Sequence, residues 1–531
     1  MTFPTACSPS AVWSVVTNLR PLADLLVPNS SRLLLSSTAL IIAVFSASSV
    51  HAQELQFDWK AYIESEIRLA FDIPFDDEKS PQSTEFERFE STLGGEIKGR
   101  YGDFILGKAH LEITYTELGN VATFNDLTDR SALDPLRFES DALFVEFTNT
   151  GLDGLDIAIG RRQEIWGTGA RFNPVSNINP LDVGDPLRFG DTLATEMISV
   201  RYSPYVFGGD EDDPWFEEFS IQLVVVPYFK PAQLPGSSSI AFTDVDEQFR
   251  RATTPALKSM VTQQRGYIEA GADVRYNVAV ERPDVAIENT QVAARMAFKL
   301  GGIDMGFSYY RGFDDFPRAE SATVTGDSSD VTTDIVLSYP RMQVFGVDMA
   351  ASVPFLGGLG VWAEVALHLH DDQHIIIDGT EFVGNQGSEL FPNGPEREYE
   401  EGLFVKAVAG IDYTPISWWY FNIQYLYGFI DEFGADNLGH YLVVANDFYV
   451  WNKRITLRLA GIMSFGRPED TALLRDEESA SGVLFPQIII KPFAGGEFSV
   501  GAFLYLGKSN TKFGSPVAGA STVFTKARIT F

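Results

Sequence analysis

From Phe57 to Phe71 the chain alternates without a break. Odd positions read Phe57, Trp59, Ala61, Ile63, Ser65, Ile67, Leu69 and Phe71; even positions read Asp58, Lys60, Tyr62, Glu64, Glu66, Arg68 and Ala70. One face is apolar and the other charged, with the period of two that belongs to a β-strand. The run is longer than the usual globular strand of about 5–6 residues and long enough for a tilted strand to cross a bilayer, which takes about 9–11. The same dyad returns downstream. Leu93, Ile97 and Tyr101 oppose Glu96, Lys98 and Arg100. Trp419, Phe421, Ile423, Tyr425, Tyr427 and Phe429 oppose Asn422 and Gln424. Ile455, Leu457, Leu459, Met463 and Phe465 oppose Arg454, Thr456 and Arg458.

Marking each such run predicts strands over 56–71, 87–101, 103–116, 137–149, 155–166, 194–204, 218–228, 290–300, 303–313, 341–353, 359–369, 402–414, 417–429, 438–450, 454–466, 481–492, 496–508 and 520–531. Their connections alternate between short (GG at 301–302, PIS, WNKR) and long, the longest spanning 229–289. That rhythm predicts an all-β chain folded as a transmembrane antiparallel β-barrel. It has about 18 strands, with 16 as the fallback, short periplasmic turns and long external loops. A barrel of this size is wide enough for an aqueous channel unless something fills it.

The two ends refine the picture. Residues 1–52 read as a signal peptide: Arg32, the apolar run LLLSSTALIIAVFSASS, then VHA before Gln53. The expected mature chain is 53–531. Its 38 basic and 71 acidic residues give a net charge of −33, and the one cysteine, Cys7, is lost with the presequence. Disulfides and thiol catalysis are thereby excluded for the mature chain. So acidic a surface argues against nucleic acid as a partner and predicts a weak cation preference at the mouth. No mature stretch of about 18 apolar residues predicts a membrane helix. The terminal STVFTKARITF, ending on Phe531, resembles the assembly signal of bacterial outer-membrane barrels, which makes the barrel assembly machinery an expected partner. The partners expected otherwise are outer-membrane lipids and lipopolysaccharide.

Against this background GRRQEIWGTGARFNPVSNINPLD, residues 160–182, is out of character for a strand. Alternation directs Arg162, Glu164 and Trp166 into the lumen and Arg161 and Gln163 toward lipid, where an arginine at midplane costs roughly 2–4 kcal/mol. A bulge near Gly160–Arg161 is therefore expected. The Asn173-Pro174 and Asn179-Pro180 pairs cannot continue a ladder, so the segment is expected to fold inward over the pore. An interface-level arginine followed by an ordinary surface loop is the alternative. The pore constriction or substrate site is placed at Arg161, Arg162, Glu164 and Trp166, joined by Arg250 and Arg251 of the 229–289 loop as a plug.

The segment resembles the G-R-Q…W-G…N-P…D stretch of a family of porin-like Gram-negative outer-membrane β-barrels of uncharacterised function. Gly160, Arg161, Trp166, Gly167, the Asn-Pro pairs and Asp182 match; Arg162 stands where that family commonly has Gln. YPRMQVFGVDMA (339–350) resembles a later strand of the same class. The resemblance implies a porin-like barrel, in some members tied to export or uptake of hydrophobic or polymeric compounds.

Two further clusters carry chemistry. HLHDDQH (368–374) offers His368, His370, Asp371 and His374 as ligands for a divalent cation, or simply as polar surface; no other cofactor is expected. GGDEDDPWFEE (208–218) is a solvated acidic turn, a calcium site or a contact for a basic periplasmic partner. No catalytic or nucleotide signature is visible. The function expected is an outer-membrane channel, not an enzyme; the alternative is a structural, adhesive or surface-binding barrel without transport.

Overall fold

The computed structural model describes residues 55–71, 85–116, 135–169, 171–188, 190–205, 208–210, 213–234, 262, 264–327, 329–371, 373–379, 396–400, 402–465, 480–508, 511–514 and 519–531. The signal segment expected at 1–52 lies outside them, as do Arg250 and Arg251.

Eighteen long strands form a closed antiparallel sheet: Leu55–Phe71, Glu85–Tyr101, Ile105–Thr116, Leu136–Phe147, Leu155–Arg162, Thr195–Tyr202, Asp213–Val226, Gln291–Leu300, Ile303–Phe313, Arg341–Val353, Leu359–His370, Leu403–Ile416, Trp419–Tyr427, His440–Val450, Ile455–Ser464, Ser481–Ile490, Gly496–Leu506 and Ser521–Thr530. Each pairs with the next. The last closes on the first, Ile529 opposite Ile63, so the barrel has no free edge. The hydrogen bonds between Phe531 and Ala61 finish the seam.

The alternation read from the sequence is the sidedness of the wall. Phe57, Trp59, Ile63 and Ile67 stand exposed on the outside, while Tyr62, Glu66 and Arg68 of the same strand are buried inside. Exposed Phe104, Trp215, Phe355, Trp418, Trp451, Phe493 and Phe531 ring the short-turn end, the position of an interfacial aromatic girdle.

The fifth strand is shorter than predicted. It stops at Arg162 because the next backbone groups turn to side chains: Asn179 Oδ1 accepts the Glu164 amide at 2.6 Å. The loops at the other end build a second sheet that alternation did not reveal. Its order is Asp273–Val280, Asp330–Ser338, Arg318–Gly326, Gln373–Asp378, Glu396–Glu400. The long 229–289 loop therefore has more than one destination. Residues 229–234 dip toward the lumen, where Gln233 pairs with Leu181 and Val183. Asp273–Val280 joins the second sheet in parallel with Asp330–Ser338.

Candidate functional site

The loop from Gln163 to Ala194 folds into the barrel and meets both walls. Asn179 closes its neck. The Asn179 amide nitrogen donates to Arg162 O, Leu193 O and Thr195 Oγ1 at 3.0–3.1 Å, and its oxygen takes the Glu164 amide. Both amide hydrogens are engaged, shared among three acceptors, and the oxygen accepts one bond, which fits a buried amide. Beyond the neck the loop presents Trp166, Phe172, Val175 and Ile178, all buried.

Trp166 packs with Val175, Ile178, Met197, Val224 and Tyr310, and its indole N–H donates to Gln222 of the seventh strand at 3.2 Å. Next to it Glu364, on the inner face of the eleventh strand, accepts the amides of Thr168 and Gly169. Gly167 permits this approach. Its φ is +95° and a Cβ there would stand 2.5 Å from a Glu364 oxygen, so the Trp-Gly-Thr-Gly sequence is a cradle for one carboxylate. Arg295 forks onto Asp348 with two contacts of 2.8 Å and lies over the Trp166 ring. At the opposite wall Asp185 receives Arg68 at 2.9 Å and also Arg88. Burial by itself raises the Asp185 pKa; the two guanidiniums outweigh it and hold the carboxyl below its usual range.

The two adjacent arginines part by simple alternation. Arg162 points inward, bound to Glu146 at 3.2 Å and Glu164 at 3.1 Å, with its guanidinium over Phe144. Arg161 shares the outward face of Ile159, where Glu196 of the next strand pairs with it at 2.9 Å and Ser140 O accepts its Nε. The bulge expected at Gly160–Arg161 is absent: pairing runs unbroken from Leu155 to Arg162. The irregularity sits one strand away, at Ser140–Asp141. An acidic partner at the end of its strand, rather than a bulge, accommodates the outward arginine. Glu164 and Trp166 are buried in the loop's neck and body, so with Arg162 they gather at one place.

Above the loop lies a cavity of about 1110 Å³, including its opening, lined among others by Phe172, Lys230, Asp314, Asp315, His368 and Lys406. His368 and His370 stack flat on Phe404, with ring centroids 5.0 and 5.2 Å away. His370 Nε2 lies 3.2 Å from Asp314; His368 Nε2 and His370 Nδ1 have no hydrogen-bond partner. Among the described residues these histidines do not gather a third ligand. Asp371 is exposed beyond the strand end, and His374 is carried on Gln373–Asp378 of the outer sheet. Asp315 accepts the Leu181 amide at 2.8 Å. Burial first, and the neighbouring Asp314 charge second, push its pKa up to about 7. For Asp314 burial acts upward as well, but Arg318 and His370 prevail and hold it well below the normal carboxylate range.

The wall formed by the first strands and the last is different. It carries a ladder of ion pairs: Lys526 to Glu64 at 2.6 Å, and Lys98 and Lys108 to Glu96 at 3.2 and 3.0 Å. The side chains of Lys98 and Arg528 are 43% and 40% exposed although they point inward, so this part of the lumen is open to water. Glu364, Asp185 and Asp315 were not singled out by sequence reading.

A closed 18-strand barrel, apolar outside and polar inside, with short turns at one end and long loops at the other, is an outer-membrane β-barrel of the Gram-negative type. No protein-family model matches the chain, and no curated protein does. Among solved structures it is similar to Acinetobacter baumannii OccAB3 (8% identity, covering 90% of this chain and 99% of that one, TM-score 0.44). It is also similar to Salmonella typhi OmpF in complex with daunomycin (9% identity, 91% and 99%, TM-score 0.38). A third is Escherichia coli Wzi, described as a carbohydrate-binding β-barrel involved in group 1 capsule assembly (9% identity, 95% and 89%, TM-score 0.42).

Proposed function

We propose that the chain is a solute channel of the outer membrane whose selectivity is set where the 163–194 loop faces the charged wall. The observation that carries this reading is the division of the lumen. Toward the long-loop end the lumen is crossed by a loop anchored to both walls, at Glu364 and through Asp185 at Arg68, while nearer the short-turn end the wall of the first and last strands carries a water-exposed ladder of Lys, Arg and Glu. A polar, partly wet path past a fixed loop suits small hydrophilic solutes better than apolar ones, because every apolar group brought against unscreened charge forfeits solvation of that charge. Arg162 faces the path, Glu164 and Trp166 hold the loop that narrows it, and Arg250 and Arg251 are the contributions proposed for the long loop. The terminal strand would be the part read by the assembly machinery.

The test is ionic current through the purified barrel in a planar bilayer. Steps of stable conductance support the channel. No conductance, either in the intact chain or after removal of the loop apex at residues 170–177, would reject it. The five-stranded outer sheet favours one second reading, a surface-binding barrel. That reading predicts ligand capture by the outer loops and no current.

A further inference from the structure

The third and fourth strands fall out of step in a way that concentrates metal-binding side chains on the lumen wall. His110 pairs with Ala142 and Glu112 with Glu139, so Ser140 and Asp141 together oppose Leu111. Such a bulge re-aims a side chain. Here it brings Asp141, two residues before the outward Leu143, next to the inward His110.

We propose that His110, Glu112 and Asp141 form a binding site for a divalent cation of the zinc class. One ligand atom from each lies within 4.8 Å of the others. His110 Nε2 stands 3.5 Å from Glu112 Oε1, and Nδ1 stands 3.7 Å from Asp141 Oδ2. Nδ1 is buried and makes no hydrogen bond. These separations are long for hydrogen bonds. Either one is close to the roughly 3.3–3.5 Å between two ligands that each sit about 2.0–2.1 Å from a tetrahedral ion; an ion takes only one ring nitrogen, so the carboxylate on the far side of the ring, within 4.8 Å of that nitrogen, must close in on binding. One imidazole nitrogen with two carboxylates suits zinc and its neighbours rather than magnesium, which prefers oxygen alone. Asp141 is half exposed, giving an ion and its waters access from the lumen. The Tyr62 hydroxyl donates to Glu112 and orients it, as outer groups do at metal centres. Arg188, 3.4 Å from Glu112, is the opposing charge; Glu139 and Asp182 also pair with it. The competing account is a contact of His110 with the two carboxylates and no ion.

Zinc titration of the metal-stripped, detergent-purified full chain decides between them. The expected result is one bound equivalent, with magnesium failing to compete. His110→Ala and Asp141→Asn should each weaken binding about tenfold or more, while His440→Ala should leave it unchanged. Heat-modifiable gel migration verifies that each variant is a folded barrel. Should His110→Ala not fold, Asp141→Asn at its half-exposed position decides alone. The proposal is overturned by the absence of a stoichiometric site, by binding that both variants retain, or by loss of binding only in His440→Ala.

Discussion

Arg68 of the first strand and Asp185 of the inward loop are 117 residues apart in sequence, yet their side chains meet at 2.9 Å with Arg68 almost fully buried. The contact holds the loop to the wall opposite Glu364. Removing one partner of a buried pair costs about 3–5 kcal/mol, because the other charge is stranded. Asp185→Asn removes the carboxylate shared by Arg68 and Arg88 and leaves them to Glu66 and Glu90. It is expected to lower barrel stability in denaturant melts by a few kcal/mol, and unchanged melting would show that the pair contributes little.

The same pair gives a pH dependence. The folded Asp185 carboxyl is held below its ordinary value, so its stabilisation is complete above the unfolded pKa, about 3.9. It is lost as pH falls through the lower folded value. Channel current should therefore become noisier or larger below about pH 4, and in Asp185→Asn that acid step should be missing. An identical acid response in both proteins would assign the step elsewhere.

Glu364 has a separate role. Its carboxylate collects the Thr168 and Gly169 amides. Glu364→Ala leaves those donors without their acceptor, at a cost of about 1–3 kcal/mol each if water does not replace it. Higher single-channel conductance is expected in Glu364→Ala, with a smaller change in Glu364→Gln, whose amide oxygen still accepts. Equal conductance in all three proteins would mean that the loop does not restrict flow.

Arg162 and Arg161 offer an internal contrast. Arg162→Ala removes an inward charge bound to Glu146 and Glu164, so reversal potentials should shift toward cations with assembly intact. Arg161→Ala removes an outward charge and leaves Glu196 with the Tyr228 hydroxyl but no cation, so yield or stability should suffer while selectivity stays as it was. Exchange of the two phenotypes would contradict the register.

Asp315 titrates in the opposite sense from Asp185. Its pKa is raised to about 7, so the stability it contributes is fully present below the unfolded value and lost as pH rises through the folded one. Ionisation beside Asp314 should increase the cation preference of the cavity between about pH 5 and 8, and Asp315→Asn should flatten that curve. A wild-type curve that is already flat would place Asp315 away from the conducting path.

Period-two alternation is a local property, written into each strand by its own side chains. The sequence by itself therefore determined the barrel, about 18 strands of it, and its wet and dry faces; that Arg161 and Arg162 part by plain alternation, with no bulge turning Arg161 inward, was decided by the folded wall. The loop 163–194 was legible as inward because Asn-Pro pairs cannot extend a ladder. What it touches was not legible. Thr168 and Glu364 are 196 residues apart, and nothing in either neighbourhood names the other. The Asn179 neck, the bulge at Ser140–Asp141 and the outer sheet, with its parallel pairings between distant loops, likewise arise only when the closed wall brings far segments together. Tertiary structure decided them because a buried carboxylate or amide must find a partner, and its identity depends on which backbone and side chains the folded barrel delivers to that point.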